Sequence, residues 1–358
     1  MQTNLSGQSK PDLNGGTIMK DRKNTFARLA VVMLLTVSLL CTGCGTKEPA
    51  PKETQEKSLA LLLSQEDEFL MDLKACIESE VAKQGYALHY YTAEGDPKTQ
   101  LEQVHEVLAS GVDTLIVNLT NDETGERIAD IVGDANVVFV NRAPTNKAIL
   151  NEQMVFVGMD EAQCGALQGE ALAQYFWQEK QGTEIRYLLF QGVPKLENTN
   201  ERSNNALQGL MNVGFTPVAA AEFQVCNFYR DKAYEAMNNL LADNVIYDCI
   251  ICNNDAMALG VIDALEAVGK DPAEVPIVGI DNTADGAAAL QAGKLYMTVD
   301  QNAQMQAESA VAAAINLNEG RAFDSKIYQP LDANGQTKPY TIRIPVSAVT
   351  AYPTESKK

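Results

Sequence analysis

The stretch CNNDAMALGV at residues 252–261 places two amides and a carboxylate directly after an apolar run. Asn253, Asn254 and Asp255 are residue types that could form a metal site, a catalytic acid, a helix cap or a hydrogen-bonding platform for a polar ligand. An alanine-rich helical pattern begins at Asp255, and a carboxylate at a helix start suits the helix dipole. The pattern therefore favours capping for Asp255 and ligand contact for Asn254, and it leaves Asn253 unassigned.

Polar and aromatic side chains also follow the other apolar runs of the chain. Planar amides, carboxylates and guanidinium groups can bond the hydroxyls of a sugar, and aromatic rings pack against the C–H faces of its ring. Taken singly, Asn118 and Asn141 also fit turns, and Phe69 and Phe228 also fit a core. Their shared position after apolar runs favours one sugar site. The predicted sugar-binding residues are Asp67, Phe69, Asn118, Asn141, Asn198, Arg202, Phe228, Asn254, Asp281 and Gln301.

The elements that would hold these residues alternate between apolar runs and helical patterns. The alternation starts at SLALLL (58–63) and restarts at MVFVGM (154–159). Runs of consecutive apolar residues are typical of parallel strands covered on both faces, so we predict an α/β protein with two similar doubly wound parallel-sheet domains. Ligands of such sheets bind outside the carboxyl ends of the strands. Asn198 and Arg202 are expected there, in a loop that leads into a helix near 201–213.

The N-terminal segment indicates the compartment. From Met19, a basic stretch precedes an apolar stretch and CTGC, which resembles a bacterial lipobox with Cys44 as the lipidated residue. The apolar stretch is short for a membrane span, although an uncleaved anchor helix is the alternative. We predict a lipoprotein signal peptide at 19–44, a flexible tether at 45–57 and a non-native upstream extension at 1–18. Both alternatives place the body outside the cytoplasm, held to a membrane.

Composition and motifs argue against several functions. A formal net charge of −19 over 358 residues argues against nucleic-acid binding. The CxxC at Cys249 and Cys252 falls inside an apolar strand pattern, which favours buried structural thiols over a metal or redox site. No GxGxxG, P-loop or GxSxG motif follows a predicted strand. Asp67 and Asp281 could serve a glycosidase, but the amides around them favour hydrogen bonding. We expect no enzyme activity, no cofactor and no metal.

Several segments of the chain resemble one known family. They read LASGVDTLIVNL, VVFVNRAP, VFVGMDEAQCGALQGEALA, NERSNNALQGL, CNNDAMALGVIDAL and VPIVGIDNTADGAAALQAGKLYMTVDQN. From about 58 to 350 the chain is similar to periplasmic sugar-binding proteins of the ribose/galactose type, and within them to glucose/galactose-binding proteins. The resemblance implies a type I periplasmic binding protein fold. A three-crossover hinge would join an N-terminal domain (58–142 plus 302–330) to a C-terminal domain (143–301 plus 331–352).

The resemblance also implies that a monomer closes around a monosaccharide, glucose or galactose first, and delivers it to an ABC transporter permease. Leu196 and Asn198 stand where glucose/galactose binders carry His and Asp. Phe228 replaces their Trp, and Gln301 replaces their Asn, a feature closer to ribose binders. A pentose or another small polar ligand is therefore an alternative, as is a sensor that signals to a membrane kinase or chemoreceptor. The stretch 177–187 lacks the spacing of the family's calcium loop, so no calcium is expected.

Overall fold

The computed structural model describes residues 57–121, 123–179, 182–321 and 339–351. The predicted upstream extension, the signal peptide with Cys44 and the tether up to residue 56 lie outside these ranges. Within them, no helix combines the length and the apolar character that crossing a membrane requires.

Thirteen strands and nine α-helices form in the described ranges. The strands are β1 (Ser58–Leu63), β2 (Ala87–Thr92), β3 (Thr114–Val117), β4 (Asn136–Val140), β5 (Met154–Gly158), β6 (Glu184–Gln191), β7 (Thr216–Ala219), β8 (Gln224–Val225), β9 (Cys249–Cys252), β10 (Ile277–Val278), β11 (Met297–Asp300), β12 (Thr341–Arg343) and β13 (Ser347–Thr350). The helices are α1 (Glu68–Lys83), α2 (Pro97–Ala109), α3 (Thr124–Ile131), α4 (Glu161–Glu179), α5 (Glu197–Asn212), α6 (Arg230–Ala242), α7 (Asp255–Ala267), α8 (Ala284–Gln291) and α9 (Ala303–Asn318).

The strands form two sheets. The first has the order β12, β5, β4, β3, β1, β2, and all its pairings are parallel. The second has the order β13, β11, β10, β9, β6, β7, with β8 also beside β6, and β13 pairs antiparallel to β11. Residues 59–63 of β1 and 249–252 of β9 are fully buried, as expected for central strands covered on both faces. The prediction of two parallel α/β sheets is confirmed, with β13 as the antiparallel exception.

The chain passes between the two sheets at three places, which confirms the three-crossover hinge. The passages lie between β5 and α4, between β11 and α9, and between β12 and β13. We call the first sheet with α1–α3 and α9 the first lobe, and the second sheet with α4–α8 the second lobe. Helix α9 packs on α1 in the first lobe, and α4 packs on α5 in the second.

The expected domain boundaries at 142/143 and at 330/331 are each wrong by one strand. β5 pairs with β4, and β12 pairs with β5, so both belong to the first sheet rather than to the second domain. The physical reason is that an apolar run shows a buried strand but not which of two sheets the strand completes.

Helix α5 corrects a second expectation. It begins at Glu197, so Asn198 and Arg202 lie on its first two turns instead of in a loop. Asn198, Thr199 and Arg202 are all buried, although the stretch is rich in polar residues. Their polar groups find partners inside the protein, which polarity alone does not reveal.

We expect Gly165→Val to destabilise the second lobe. A Cβ at Gly165 would lie 2.3 Å from the backbone oxygen of Arg202, so α4 and α5 would have to separate. Overpacking of this kind costs about 1–3 kcal/mol. Glu170→Val, at an exposed position of the same helix, changes helix propensity with no such clash and should cost less than about 1 kcal/mol. Urea denaturation measures both free energies of unfolding, and equal losses would contradict the close packing.

Candidate ligand-binding site

A small cavity lies between the two lobes, at the carboxyl ends of both sheets. Nine of the ten predicted residues line it, and Asn118 does not. The lining consists of Asp67, Phe69, Leu70, Asn141, Arg142, Asn198, Arg202, Phe228, Asn254, Asp281 and Gln301. The fold thus brings together residues that follow strands of both sheets. That these residues bind a sugar stays a prediction.

Asp67 has a structural role as well as a place in the cavity wall. It precedes α1, and its Oδ1 accepts a hydrogen bond from the backbone N–H of Leu70 (2.9 Å), which caps the helix. Its Oδ2 accepts from Gln65 Nε2 (2.9 Å) and lies 3.9 Å from Arg142 Nη2. Burial raises the pKa of Asp67, and the charge of Arg142 opposes that rise. The cap fixes the direction in which this carboxylate points.

Arg142 is a lining residue that the sequence prediction missed. Its Nη1 donates to Ser64 Oγ (2.7 Å) and to the carbonyl of Leu119 (3.0 Å). Burial lowers its pKa to about 10, against the attraction of Asp67. Its Nε has no hydrogen-bond partner within the protein. A signal was available, because Arg142 directly follows Asn141 in the motif VVFVNRAP.

Asn118 lies one layer behind the cavity. Its Nδ2 donates to the carbonyl of Val140 (3.2 Å) and to Asn141 Oδ1 (3.3 Å), and its Oδ1 accepts from the Ser64 hydroxyl (2.6 Å). Asn141 itself has a φ of 63° and donates from Nδ2 to Gln301 Oε1 (3.2 Å). Asn118 therefore orients Asn141 and does not line the cavity.

Arg202 is held within the second lobe by a carboxylate that the sequence prediction did not include. Its Nε donates to Glu161 Oε2 (2.6 Å), and its Nη1 donates to the carbonyl of Asn253 (2.8 Å). Both partners of the ion pair are buried, with side-chain exposures of 3% and 6%. Nothing in the sequence pattern singled out Glu161, because the packing of α4 on α5 brings the two residues together.

The stretch that opens with Cys252 is organised differently from the prediction. Asn254, rather than Asp255, caps α7: its Oδ1 accepts from the backbone N–H of Met257 (3.0 Å). Its Nδ2 donates to the carbonyl of Phe228 (3.2 Å). Asp255 is the first residue of the helix, so the assignment of Asp255 as cap is wrong. A cap must have extended backbone outside the helix, and Asn254 has that geometry with φ −155° and ψ 170°.

Asp281 contributes a buried carboxylate at the carboxyl end of the second sheet. Its Oδ1 accepts from Gln301 Nε2, and its Oδ2 has no hydrogen-bond partner within the protein. Burial, followed by repulsion from Asp255, raises the pKa of Asp281 well above its ordinary range. The unpartnered Oδ2 of Asp281 can accept a hydrogen bond from a polar ligand, and the unpartnered Nε of Arg142 can donate one.

The two predicted aromatic residues complete the cavity. Phe69 and Phe228 are exposed by only 6% and 4%, so they line an enclosed space. Phe228 has a φ of 71°, and a Cβ at Gly192 would lie 1.9 Å from its ring. Gly192 is therefore required for the ring to occupy this position. Rings in this setting offer apolar faces to a ligand.

Contacts between the lobes show a closed arrangement. Gln65 Nε2 of the first lobe donates to the carbonyl of Asn227 in the second (3.2 Å). Arg142 Cζ lies 5.3 Å from the centroid of the Phe228 ring. At the rim, Lys147 forms an ion pair with Glu197. A ligand inside the cavity would be surrounded by both lobes.

In this closed arrangement the cavity leaves about 20 Å³ of free space, so a ring-sized ligand requires its side chains or the two lobes to move apart. A larger groove of about 370 Å³ lies around Tyr247 and Lys270, near the amino end of β9. We assign the site to the smaller cavity, because ligands of α/β sheets bind at carboxyl ends and because its walls carry buried charges from both lobes. Among the described residues no cluster of His, Cys, Asp or Glu could hold a metal ion.

Two α/β lobes, a three-crossover hinge and an enclosed polar cavity define a bilobal ligand-binding protein. The chain belongs to the family of periplasmic binding protein domains, whose sequence profile matches residues 60–322. This is a family of binding proteins, so the assignment of the chain as a binder rather than an enzyme is confirmed.

Individual relatives support the ribose/galactose type. A Rhizobium meliloti protein assigned as rhizopine-binding is 30% identical over 250 residues, which are 69% of this chain and 79% of the relative. The ribose import binding protein of Bacillus subtilis is 28% identical, and the match covers 86% of this chain and 99% of that protein. An ABC transporter solute-binding protein of Bacillus halodurans, solved with bound myo-inositol, is 27% identical with a TM-score of 0.71, over 83% of this chain and 95% of that one.

We expect Glu161→Ala to destabilise the ligand-free protein by about 3–5 kcal/mol, because it leaves Arg202 buried without its carboxylate. Glu102→Ala is the matched control. It removes one partner of the exposed pair Lys98–Glu102 (3.3 Å) and should cost less than about 1 kcal/mol. Urea denaturation measures both variants. A small loss in both would show that Arg202 does not depend on Glu161.

Proposed function

We propose that this chain is a lipid-anchored extracytoplasmic solute-binding protein that acts as a monomer. It captures a monosaccharide, or a ring polyol of similar size, between its lobes and delivers it to an ABC transporter permease. The observation that carries this proposal is the convergence of amides, carboxylates, guanidinium groups and two aromatic rings on one enclosed cavity. A relative in ribose import and a structural neighbour from an ABC transporter support the partner.

The charges of the cavity favour an uncharged ligand. Arg202 is paired with Glu161, and Arg142 lies 3.9 Å from Asp67. A phosphate or carboxylate ligand would therefore meet carboxylates beside each guanidinium. Hydroxyl groups, which donate and accept, suit the remaining acceptor of Asp281 and the amide side chains.

Four ligands fit this class. D-Glucose and D-galactose are our first candidates, from the sequence resemblance. D-Ribose and myo-inositol are the alternatives, because one relative is named for ribose import and one structural neighbour was solved with bound myo-inositol. All four are uncharged rings with hydroxyls on neighbouring carbons.

We expect one of these four compounds to raise the melting temperature of the purified protein. A ligand that binds only the folded state stabilises it by about 2.7 kcal/mol at 100 times its Kd. Differential scanning fluorimetry at millimolar ligand measures the shift. Glucose 6-phosphate serves as the charged control and should give none. A result in which no neutral ring compound shifts the melting temperature would overturn the ligand class.

We expect Asp281→Asn to weaken binding of that compound by about 10–100-fold. The amide offers a hydroxyl a weaker, uncharged acceptor, and a hydrogen bond to a charged group contributes about 1.5–3 kcal/mol. The ligand-free variant should melt no lower than the unaltered protein, because the carboxylate is ionised at a cost in its buried setting. Asp243→Asn, at an exposed position after α6, is the control. Isothermal calorimetry measures the affinities, and equal affinity in all three proteins would refute the site.

The membrane anchor is proposed from the sequence alone. We expect the mature protein, extracted from membranes, to begin at Cys44 and to carry lipid on it. Mass spectrometry of the N-terminal peptide measures both features. Cys44→Ser should abolish the lipid, whereas Cys41→Ser, three residues earlier, should retain it. An unmodified peptide that still contains the apolar stretch would instead show an uncleaved anchor helix.

A further inference from the structure

Asp255 is a fully buried carboxylate that lies outside the cavity lining. Its Oδ1 accepts a hydrogen bond from the Thr298 hydroxyl (2.7 Å), and its Oδ2 accepts from the backbone N–H of Thr283 (3.2 Å). Its own backbone N–H donates to the carbonyl of Ile280 (2.7 Å). These three bonds connect the start of α7 to β11 and to the loop between β10 and α8.

That loop carries Asp281 in a backbone conformation that side-chain-bearing residues rarely adopt. Asp281 has a φ of 132° and Asn282 a φ of 56°. Such a conformation persists only where the surroundings hold it. The backbone N–H of Asn282 donates to Thr298 Oγ1 (3.2 Å), the same hydroxyl that donates to Asp255. The Thr298 hydroxyl therefore links the buried carboxylate to the loop.

The packing around the Asp255 carboxylate leaves no space for a side chain at two neighbouring glycines. A Cβ at Gly279 would lie 2.1 Å from Asp255 Oδ1, and a Cβ at Gly286 would lie 2.2 Å from Oδ2. The carboxylate is thus enclosed between the backbone at the end of β10 and the first turn of α8. Both backbones sit against its oxygen atoms because both residues are glycines.

Asp255 also acts on Asp281 through charge. Several groups face the Asp281 carboxylate: Asp255 from α7, Arg202 from α5, Cys164 from α4 and Asp67 from the first lobe. Burial and then the charge of Asp255 raise the pKa of Asp281, and Arg202 opposes the rise. Burial is the main cause that raises the pKa of Asp255 itself, to about 7, and the charge of Glu68 adds to the rise.

We propose that Asp255 is the positioning residue of the ligand site: it holds the loop between β10 and α8 so that Asp281 presents its unpartnered carboxylate oxygen to a ligand hydroxyl. The proposal rests on the proposed function, because ligand affinity reports the position of Asp281. The bound state uses ionised Asp281 as acceptor. Affinity therefore falls as the pH drops through the pKa of Asp281, at a pH above the ordinary aspartate value of about 3.9.

The test compares Asp255→Asn with the unaltered protein. The probe is whichever of D-glucose, D-galactose, D-ribose and myo-inositol binds the unaltered protein, and calorimetry measures its Kd from pH 4.5 to 8. An amide cannot accept on both sides, so we expect the affinity at pH 7.5 to fall at least tenfold. The pH at which acid halves the affinity should move to a lower value, because Asp281 no longer faces the negative charge that Asp255 carries above its own pKa of about 7. Replacing a residue that only supports the fold would not change the pH at which acid halves the affinity.

Thr298 supplies a second test that does not depend on the folding of the first variant. Thr298→Val removes the linking hydroxyl and should weaken binding, but the pH at which acid halves the affinity should not move to a lower value. Thr298→Ser retains the hydroxyl and should restore affinity. Glu266→Gln, at an exposed position of α7, is the control and should change neither quantity.

Two outcomes would overturn the proposal. In the first, the Asp255→Asn variant folds, binds the ligand with unchanged affinity and loses that affinity at the same pH as the unaltered protein. In the second, the Thr298→Val variant binds the ligand as tightly as the Thr298→Ser variant. Failure of the unaltered protein to bind any of the four probes would instead contradict the proposed function itself, and this proposal would fall with it.

Discussion

The burial of ionised side chains between two lobes is the constraint on which the rest of this structure depends. Charges removed from water are costly unless they are paired and hydrogen-bonded. Each guanidinium of the cavity meets this requirement inside its own lobe. Arg202 is paired with Glu161 and the Asn253 carbonyl, and Arg142 is bonded to Ser64 and the Leu119 carbonyl beside Asp67. The lobes can therefore separate without leaving either cation unpaired.

Two of the polar contacts that cross between the lobes are of a weaker kind, beside the contact of Arg142 with the Phe228 ring. Gln65 and the Asn227 carbonyl form a neutral hydrogen bond, and the pair of Lys147 and Glu197 is partly exposed, by 42% and 28%. Such interactions contribute about 1 kcal/mol or less each. A bound ligand that touches both lobes would add differential free energy to the closed state. Closure would then depend on the ligand, in keeping with a protein that must bind and release its cargo.

Sequence reasoning identified the chemistry of the site better than the roles of its members. Nine of the ten predicted residues line the cavity, because polar residues after parallel strands all face the same edge of a sheet. The roles were less predictable. Asn254 and Asp255 are neighbours, and the pattern shows where the helix begins but not which side chain reaches its free N–H groups. Asn118 and Asn141 follow adjacent strands, and only the packing shows which of them reaches the cavity.

Hydrophobic periodicity and side-chain chemistry are local properties, so the class of the fold, the succession of strands and helices and the residue types of the cavity could be predicted from the amino-acid sequence. Contacts between remote segments became visible only in the folded protein. The tertiary structure placed β5 and β12 in the first sheet, brought Glu161 to Arg202 and enclosed Asp255 behind Asp281. Those pairings arise from helix packing and sheet order. These bring together residues that are far apart along the chain, and a local sequence pattern does not show such contacts.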